Sequence, residues 1–553
     1  MNQPTAWDTR RQDKAARLRA AAPLATGKVI PTEKAVEALE ALVRPGDKLV
    51  LEGDNQKQAD FLSRSLAAVD PGRVHDLHLL ISSFSRPEQL DLFEDGIASR
   101  TDFAYAGAQS TRVAQLLADG KLEIGAIHTY LELYGRFFVD LVPNVALVAA
   151  NSADRDGNLY TGPNTEDTPT IVEATAFKDG IVIAQVNELV DGPEQLPRVD
   201  VPGGWVDFVV VADRPYQIEP LFTRDPRLIT EVQILMAMMA IRGVYERHTV
   251  TSLNHGVGFD TAAIELLLPT YGASLGLRGK IAKNWVLNPH PTLIPAIESG
   301  WVESVVAFGG EVGMEEYCRA RPDVFATGRD GYLRSNRMIA QAAGHYAADM
   351  FIGSSLQIDR DANSSTVTHG RLTGFGGAPN MGADARGRRH ASPAWLDLAR
   401  VESGESGGIE RGRKLVVQTV ETFAKGGVPK LVESLDAVSV GRDAGLPVAP
   451  VMIYGEDVTH VITEEGVAYL YKARDLEERR EALAAVAGVS PIAGRHDAAR
   501  EERLRRDGLI ALPADLRVDP TQAKRSLLAA RSVEDLVTWS GGLYNPPAKF
   551  RSW

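Results

Sequence analysis

Gly374, Gly376 and Gly377 stand almost together in HGRLTGFGGAPNMGADARGRRH (residues 369–390), with Gly382 close behind. Glycine lets a chain turn tightly and lets a ligand approach the backbone N–H groups. N–H groups gathered in this way form an anion nest or an oxyanion hole; a tight surface turn is the plainer reading of the same cluster. In NHGVGFDTAAIELL (254–267), Gly256 and Gly258 make a Gly-x-Gly turn between a strand-like and a helix-like run. That arrangement points a helix N-terminus at whatever binds there. The dinucleotide fingerprint needs a third glycine and a later acidic residue; GVGFDT lacks that glycine, which disfavours a nicotinamide cofactor. In THVITEEGVAYLYKARDLEERREAL (459–483), an apolar strand is followed by Thr-Glu-Glu-Gly. Glu464 there reads as readily as a turn or cap residue as a chemical group.

These loops need elements to hold them. KLVLEG (48–53), DLHLLIS (76–82), FAYAG (103–107), IGAIHT (124–129), VALVAAN (145–151), IVIAQVN (181–187) and FVVVAD (208–213) read as short apolar strands, with QADFLSRSLAAV (58–69) as an amphipathic helix between the first two. Strands alternating with helices predict a mostly parallel sheet covered on both faces. A second series opens near residue 246 with TVTSLNHGVGFDTAAIELLL and continues in SVVAFGG (304–310), MFIGSSLQI (350–358) and VMIYG (451–455). NSADRDGNLYTG (151–162) and SSLQIDRDANSST (354–366) each set an Asp-Arg-Asp loop and an asparagine after an apolar run, as a duplicated unit would. The helical run EVQILMAMMAIRGVYER places the boundary near 240–248, giving 1–245 and 246–553, the latter with a charge-rich helical tail (477–508).

Bulk properties narrow the class. The 553 residues are 44% hydrophobic and 24% charged, with one cysteine, Cys318, which excludes an internal disulfide and any multi-cysteine metal site. The N-terminal stretch has no apolar h-region and carries Asp8 and Asp13, and no apolar run is long enough to cross a bilayer. A cytoplasmic protein without a membrane partner is therefore expected. A net charge of −13 argues against general nucleic-acid binding. No GxxxxGK[ST] phosphate loop is present, so no ATP requirement is expected.

Taken in order, HGVGF, SSLQIDRDANSSTV, GFGGAPNMG and VITEEGVAYL resemble the acetate-type class I coenzyme A transferases and acetyl-CoA hydrolases. Within that superfamily, TGPNTEDTPTIVEATAFKDGIVIAQVNELVD (161–191), VLNPHPTLIPAIESGWVESVVAFGGE (286–311) and the glycine-rich loop are similar to the malonate decarboxylase alpha subunits, over nearly the whole chain. The resemblance implies an α/β protein of two related CoA-transferase-like (NagB/RpiA-type) domains with mostly parallel sheets and the active site between them. It implies transfer of a carrier thioester from acetate to malonate. The expected partners are an acyl carrier protein subunit and malonyl-S-ACP decarboxylase subunits. No covalently bound cofactor and no metal is expected; the phosphoribosyl-dephospho-CoA group acted on belongs to the carrier.

One departure bears on mechanism. The nucleophilic glutamate of the coenzyme A transferases falls at Gln357, and a carboxamide cannot usefully attack a thioester. A mixed anhydride of the two acids is the scheme that fits, with Asp359 or Asp361 as the alternative nucleophile. The resemblance assigns oxyanion stabilisation to the backbone at Gly376 and Gly377, and carboxylate orientation to Gln357 and Asn363. Gly256, Gly258, Gly374 and His369 are expected at the substrate thioester. Arg386, Arg388 and Arg389 are expected to dock the carrier, as are Arg10, Arg11, Lys14, Arg17 and Arg19, with plain solvation as the alternative. An enzyme using free acyl-CoA, and a non-catalytic ligand-binding regulator on the same fold, are the rival readings.

Overall fold

The computed structural model describes residues 6–53, 57–163, 167–216, 225–307, 309–333, 348–383, 395, 398, 412–495 and 497–548. Two large sheets organise these residues. In the first, neighbouring strands run Val29–Ile30, Phe208–Val211, Ile181–Val190, Val145–Asp154, Lys48–Leu51, Leu77–Ser83, Ala98–Tyr105 and Glu123–Ile127, all parallel, with Leu159–Tyr160 added antiparallel to Val145–Asp154. The second runs Ser304–Val306, Asn284–Val286, Ser252–His255, Met350–Ser354, Leu415–Thr419 and His460–Ile462 in parallel. It closes with Val467–Tyr469 and Ile510–Ala511 antiparallel.

Side chains alternate between the faces of each sheet, and both faces are covered. Leu49, Leu51, Leu79 and Ile81 enter one apolar cluster, whereas Val50 and Leu80 enter another. Met350, Ile352, Leu415 and Val417 likewise face away from Phe351 and Val416. Near-continuous apolar runs are what a parallel sheet buried on both sides requires.

In the second sheet the chain starts centrally at Ser252–His255, builds to one side, then returns to build the other; the first does the same from Lys48–Leu51, after an edge strand, Val29–Ile30, that pairs with Phe208–Val211. The strand order therefore reverses between Lys48–Leu51 and Val145–Asp154, and again between Ser252–His255 and Met350–Ser354. At such a reversal the loops leaving the two strand ends part in opposite directions and open a crevice.

The Asp-Arg-Asp loops are a true structural repeat. Asp154 Oδ1 accepts from the N–H groups of Asp156 and Asn158 at 3.0 and 2.9 Å. Asp359 Oδ1 accepts from those of Asp361 and Asn363, both at 2.9 Å. The fourth residue of each loop has positive φ, 84° at Gly157 and 66° at Ala362. Each asparagine Oδ1 then accepts from a distant glycine N–H, Gly203 at 2.8 Å and Gly455 at 2.9 Å.

The two halves interlock. The hairpin Val367–Thr368/Arg371–Leu372 and the helix Asp436–Asp443 leave the second sheet, and Val367, Leu372, Ala437 and Val440 join the apolar core of the first. VMIYG forms no sheet strand, only an isolated bridge of Ile453 to Ser364. Among the described residues, no helix is long and apolar enough to cross a membrane.

Candidate active site

A cavity of about 460 Å³ opens at the second sheet's reversal point, with its far wall supplied by Ser83, Tyr105 and Tyr130 from the ends of first-sheet elements. The Gly256–Gly258 turn and the Gly374–Gly377 turn both line it, so the sequence-predicted glycines are brought together across the two halves.

Each turn needs glycine for a stated reason. A Cβ on Gly258 would lie 2.4 Å from Ser354 Oγ, because the turn passes directly over the end of Met350–Ser354. Gly374 has φ +76°, and a Cβ there would lie 2.5 Å from the Ala104 carbonyl oxygen. That carbonyl accepts from both Phe375 N–H (2.7 Å) and Gly376 N–H (2.9 Å), fastening the second turn to the end of Ala98–Tyr105. The Gly376 amide is thus committed to the protein, which corrects its expected place in an oxyanion hole. Gly377 N–H has no partner among the described residues and lines the cavity, leaving it as the donor the turn presents.

Three other expectations are relocated. Gln357, the first residue of strand Gln357–Asp359, is buried beside the cavity-lining Leu356 but does not itself line the cavity; its Oε1 accepts from Asp436 N–H at 2.9 Å. Asn363 donates to Asp359 and accepts from Gly455, so it holds the repeat loop, as Asn158 does in the first half. His369 is exposed on the hairpin and bonds Ser439 Oγ at 2.9 Å, away from the cavity. The alternative nucleophiles are also placed elsewhere: Asp359 within its loop, Asp361 against Arg480 at 2.6 Å. Glu464 accepts from Thr422 N–H (3.0 Å) and Thr422 Oγ1 (2.5 Å), a structural tie.

Arg386, Arg388 and Arg389 lie outside the described residues. Of the N-terminal cations, Arg17 is buried against Asp47, Lys14 pairs with Asp207 at 2.9 Å and Arg10 donates to the carbonyls of Lys178 and Pro143. These three fasten helix Ala6–Ala21 to the protein, while Arg11, beside Asp179, and Arg19 are exposed.

Sequence reasoning missed the charged groups of the cavity wall. Asp260, in the first turn of helix Phe259–Leu267, has its carboxyl pushed up by burial, against the opposing pull of hydrogen bonds from Ser354 (2.9 Å) and Thr419 (3.0 Å). Glu421 is likewise raised by burial; it accepts from Gln233 Nε2 at 3.0 Å and lies 3.9 Å from Lys430 Nζ. His255 and His290 stand 2.9 and 2.8 Å from Glu265 Oε1, and Tyr245 OH lies 2.5 Å from His255 Nε2. Burial alone would push the Glu265 carboxyl up, but His290 and His255 outweigh it and hold the group well below the usual carboxylate range. This anchored anion fixes both imidazoles under the Gly256–Gly258 turn. None of these residues sits in a recognisable spacing, since they meet only once the helices and sheet ends have packed.

The arrangement offers an amide donor, an apolar enclosure and two carboxyl groups with raised affinity for protons.

The family model for "Malonate decarboxylase, alpha subunit, transporter" matches residues 6–553. The chain is 54% identical, over the full length of both, to a protein of Malonomonas rubra named Acetyl-S-ACP:malonate ACP transferase. It superposes with TM-score 0.95 and 67% identity, all of both chains covered, on a chain of a Pseudomonas malonate decarboxylase hetero-tetramer crystallised with malonate. The alpha subunit from Acinetobacter baumannii gives TM-score 0.94 at 63% identity, covering 99% of this chain and all of the other. More distant structures share the fold alone. A Streptococcus mutans citrate lyase alpha subunit has TM-score 0.60 at 15% identity over 84% of this chain and 87% of its own. An Escherichia coli acyl-CoA transferase has 0.51 at 15% over 79% and 87%. With a matched family model spanning nearly every residue, the chain belongs to the malonate decarboxylase alpha subunit family.

Proposed function

We propose that this chain exchanges acetate for malonate on the thioester of an acyl carrier protein, giving malonyl-S-carrier and free acetate. The observation that carries the reading is the convergence of the Gly256–Gly258 and Gly374–Gly377 turns on one cavity, lined by Gly377, whose N–H has no partner among the described residues. A malonate carboxylate oxygen attacks the acetyl carbonyl carbon, and the tetrahedral oxyanion is held at the Gly377 N–H. Collapse expels the carrier thiolate and leaves an acetic–malonic anhydride. The thiolate attacks the malonyl carbonyl, and acetate departs with the bridging oxygen. One thioester replaces another, so no ATP is needed.

The protein contributes alignment of a weak nucleophile, worth up to about 7–11 kcal/mol, and a preorganised donor, worth about 2.7–4 kcal/mol. The apolar walls, including Phe259, Leu287, Phe351 and Met381, keep water from the anhydride. The acceptor thiol belongs to the carrier's phosphoribosyl-dephospho-CoA arm, with Arg386, Arg388 and Arg389 meeting the carrier or its phosphates and malonyl-S-ACP decarboxylase subunits taking the product. We divide the chain into lobes at 1–245 and 246–553, one large sheet in each, although helix Glu231–Ala240 buries Ile234, Met236 and Met239 in the core of the second sheet.

The test is transfer from acetyl-loaded carrier to malonate, compared with transfer from acetyl-CoA. Strong preference for the carrier supports the reading. Equal rates on both would favour an enzyme of free coenzyme A, and no turnover of any thioester would favour a binding protein.

A further inference from the structure

Malonate brings two carboxylates to the cavity and only one of them reacts. The other stays anionic throughout, and it must be held in a cavity whose wall already carries Asp260 and Glu421. In a chain of net charge −13, an unmatched second carboxylate would meet repulsion from its surroundings.

Most basic side chains lining the cavity already have an acidic neighbour. Lys430 faces Glu421 at 3.9 Å, and His255 and His290 both face Glu265. Arg371 differs. It sits on the hairpin strand Arg371–Leu372, three residues before Gly374, and it lines the cavity. Its Nε donates to Ser110 Oγ at 3.1 Å, a neutral hydroxyl at the start of helix Ser110–Ala118. Among the described residues, its Nη1 and Nη2 have no hydrogen-bond partner and the group has no carboxylate neighbour. One edge of the guanidinium is therefore fixed, and two parallel N–H donors remain, the geometry that takes a carboxylate in bidentate fashion.

We infer that Arg371 holds the non-reacting carboxylate of malonate and so selects a dicarboxylic acid over a monocarboxylic one. The inference rests on the transfer reading above and names the specificity residue of that same cavity. Ser110 acts as the positioning residue for the guanidinium, and the hairpin couples it to the Gly374–Gly377 turn, so the charge that binds one end of malonate and the amide that stabilises attack by the other move as a unit.

The experiment uses the complete chain with acetyl-loaded carrier and two acceptors of similar shape, malonate and its monoamide malonamate, which lacks the second charge. Wild type is expected to favour malonate by about 10- to 100-fold in kcat/KM, the range of a charge-assisted bidentate contact. In Arg371→Gln that ratio is expected to fall to near one, with Arg371→Lys between the two. A wild-type ratio already near one overturns the inference without any variant. A ratio unchanged in Arg371→Gln overturns it as well, as does an equal loss on both acceptors accompanied by a raised KM for the carrier, which would place the guanidinium on a phosphate of the carrier arm. Wild type that transfers to neither acid refutes the transfer reading itself, a result separate from all of these.

Discussion

Replacing Gly374 with alanine probes the attachment of the glycine turn to the first sheet. The added Cβ would lie 2.5 Å from the Ala104 carbonyl oxygen, the oxygen that accepts from Phe375 and Gly376. The residue also sits at φ +76°, a left-handed conformation costing an L-residue about 1–2 kcal/mol. Overpacking against backbone adds about 1–3 kcal/mol. The structure relieves this sum of about 2–5 kcal/mol most cheaply by lifting the turn off Ala104, which moves the Gly377 amide with it. A displacement of about 1 Å in a reacting geometry costs about 100-fold. Single-turnover transfer from acetyl-loaded carrier should therefore fall by about 100-fold, while the far-ultraviolet circular dichroism stays native. Gly276→Ala is the control, since Gly276 has φ +67° with nothing within 4 Å of its added Cβ. It should lose stability of order 1 kcal/mol and keep its rate. A Gly374→Ala variant that folds and transfers at the wild-type rate would refute the reasoning.

Gly377→Val keeps the backbone N–H but sets a branched side chain beside it in the cavity, so kcat should fall by about 100- to 1000-fold, the scale of an oxyanion donor put out of reach, as read in single-turnover transfer. Asp260→Asn should raise the melting temperature at neutral pH. Burial raises the native carboxyl above its unfolded value, so its ionisation as pH climbs favours the unfolded chain, and removing the charge cancels that loss. His248 and His460, 3.1 Å apart, are both held neutral by burial and nearby cations, His248 with its pKa lowered to about 4. Protonation below the unfolded value near 6.5 is thus open only to the unfolded chain, and at pH 5 each histidine should remove about 2 kcal/mol of stability. Denaturant titrations at pH 7 and pH 5 check this, and His248→Phe should roughly halve the difference, leaving the share of His460. Neutralising Arg386, Arg388 and Arg389 together should raise KM for the carrier and weaken its salt dependence, with kcat retained.

The strands of the first sheet were legible because buried parallel strands leave unbroken apolar runs, and VALVAAN or IVIAQVN admits few other readings. The glycine turns were legible for a related reason: a backbone that must pass within 3 Å of another atom admits no side chain, and Gly258 and Gly374 meet that constraint. The Asp-Arg-Asp repeat was visible as letters, but its purpose was not. Asn363 looked like a site residue until its twin, Asn158, proved to make the same bonds in the other half. Gln357 occupies the expected strand position, yet a side chain's face depends on the exact strand start, and the two-residue break between Met350–Ser354 and Gln357–Asp359 is invisible in MFIGSSLQI. Asp260, Glu421 and Arg371 come from a helix, a loop and a hairpin separated by 50 to 161 positions, and no spacing rule links them.

The central claim is that an acid oxygen strikes the thioester carbonyl directly, without a covalent acyl-enzyme. A single turnover of acetyl-loaded carrier with oxygen-18 malonate decides this by mass spectrometry of both acetate and protein. Direct attack predicts one heavy oxygen in the released acetate and none in the chain. Unlabelled acetate, together with heavy oxygen retained on Asp260, Glu421 or any other carboxylate of the protein, would contradict it.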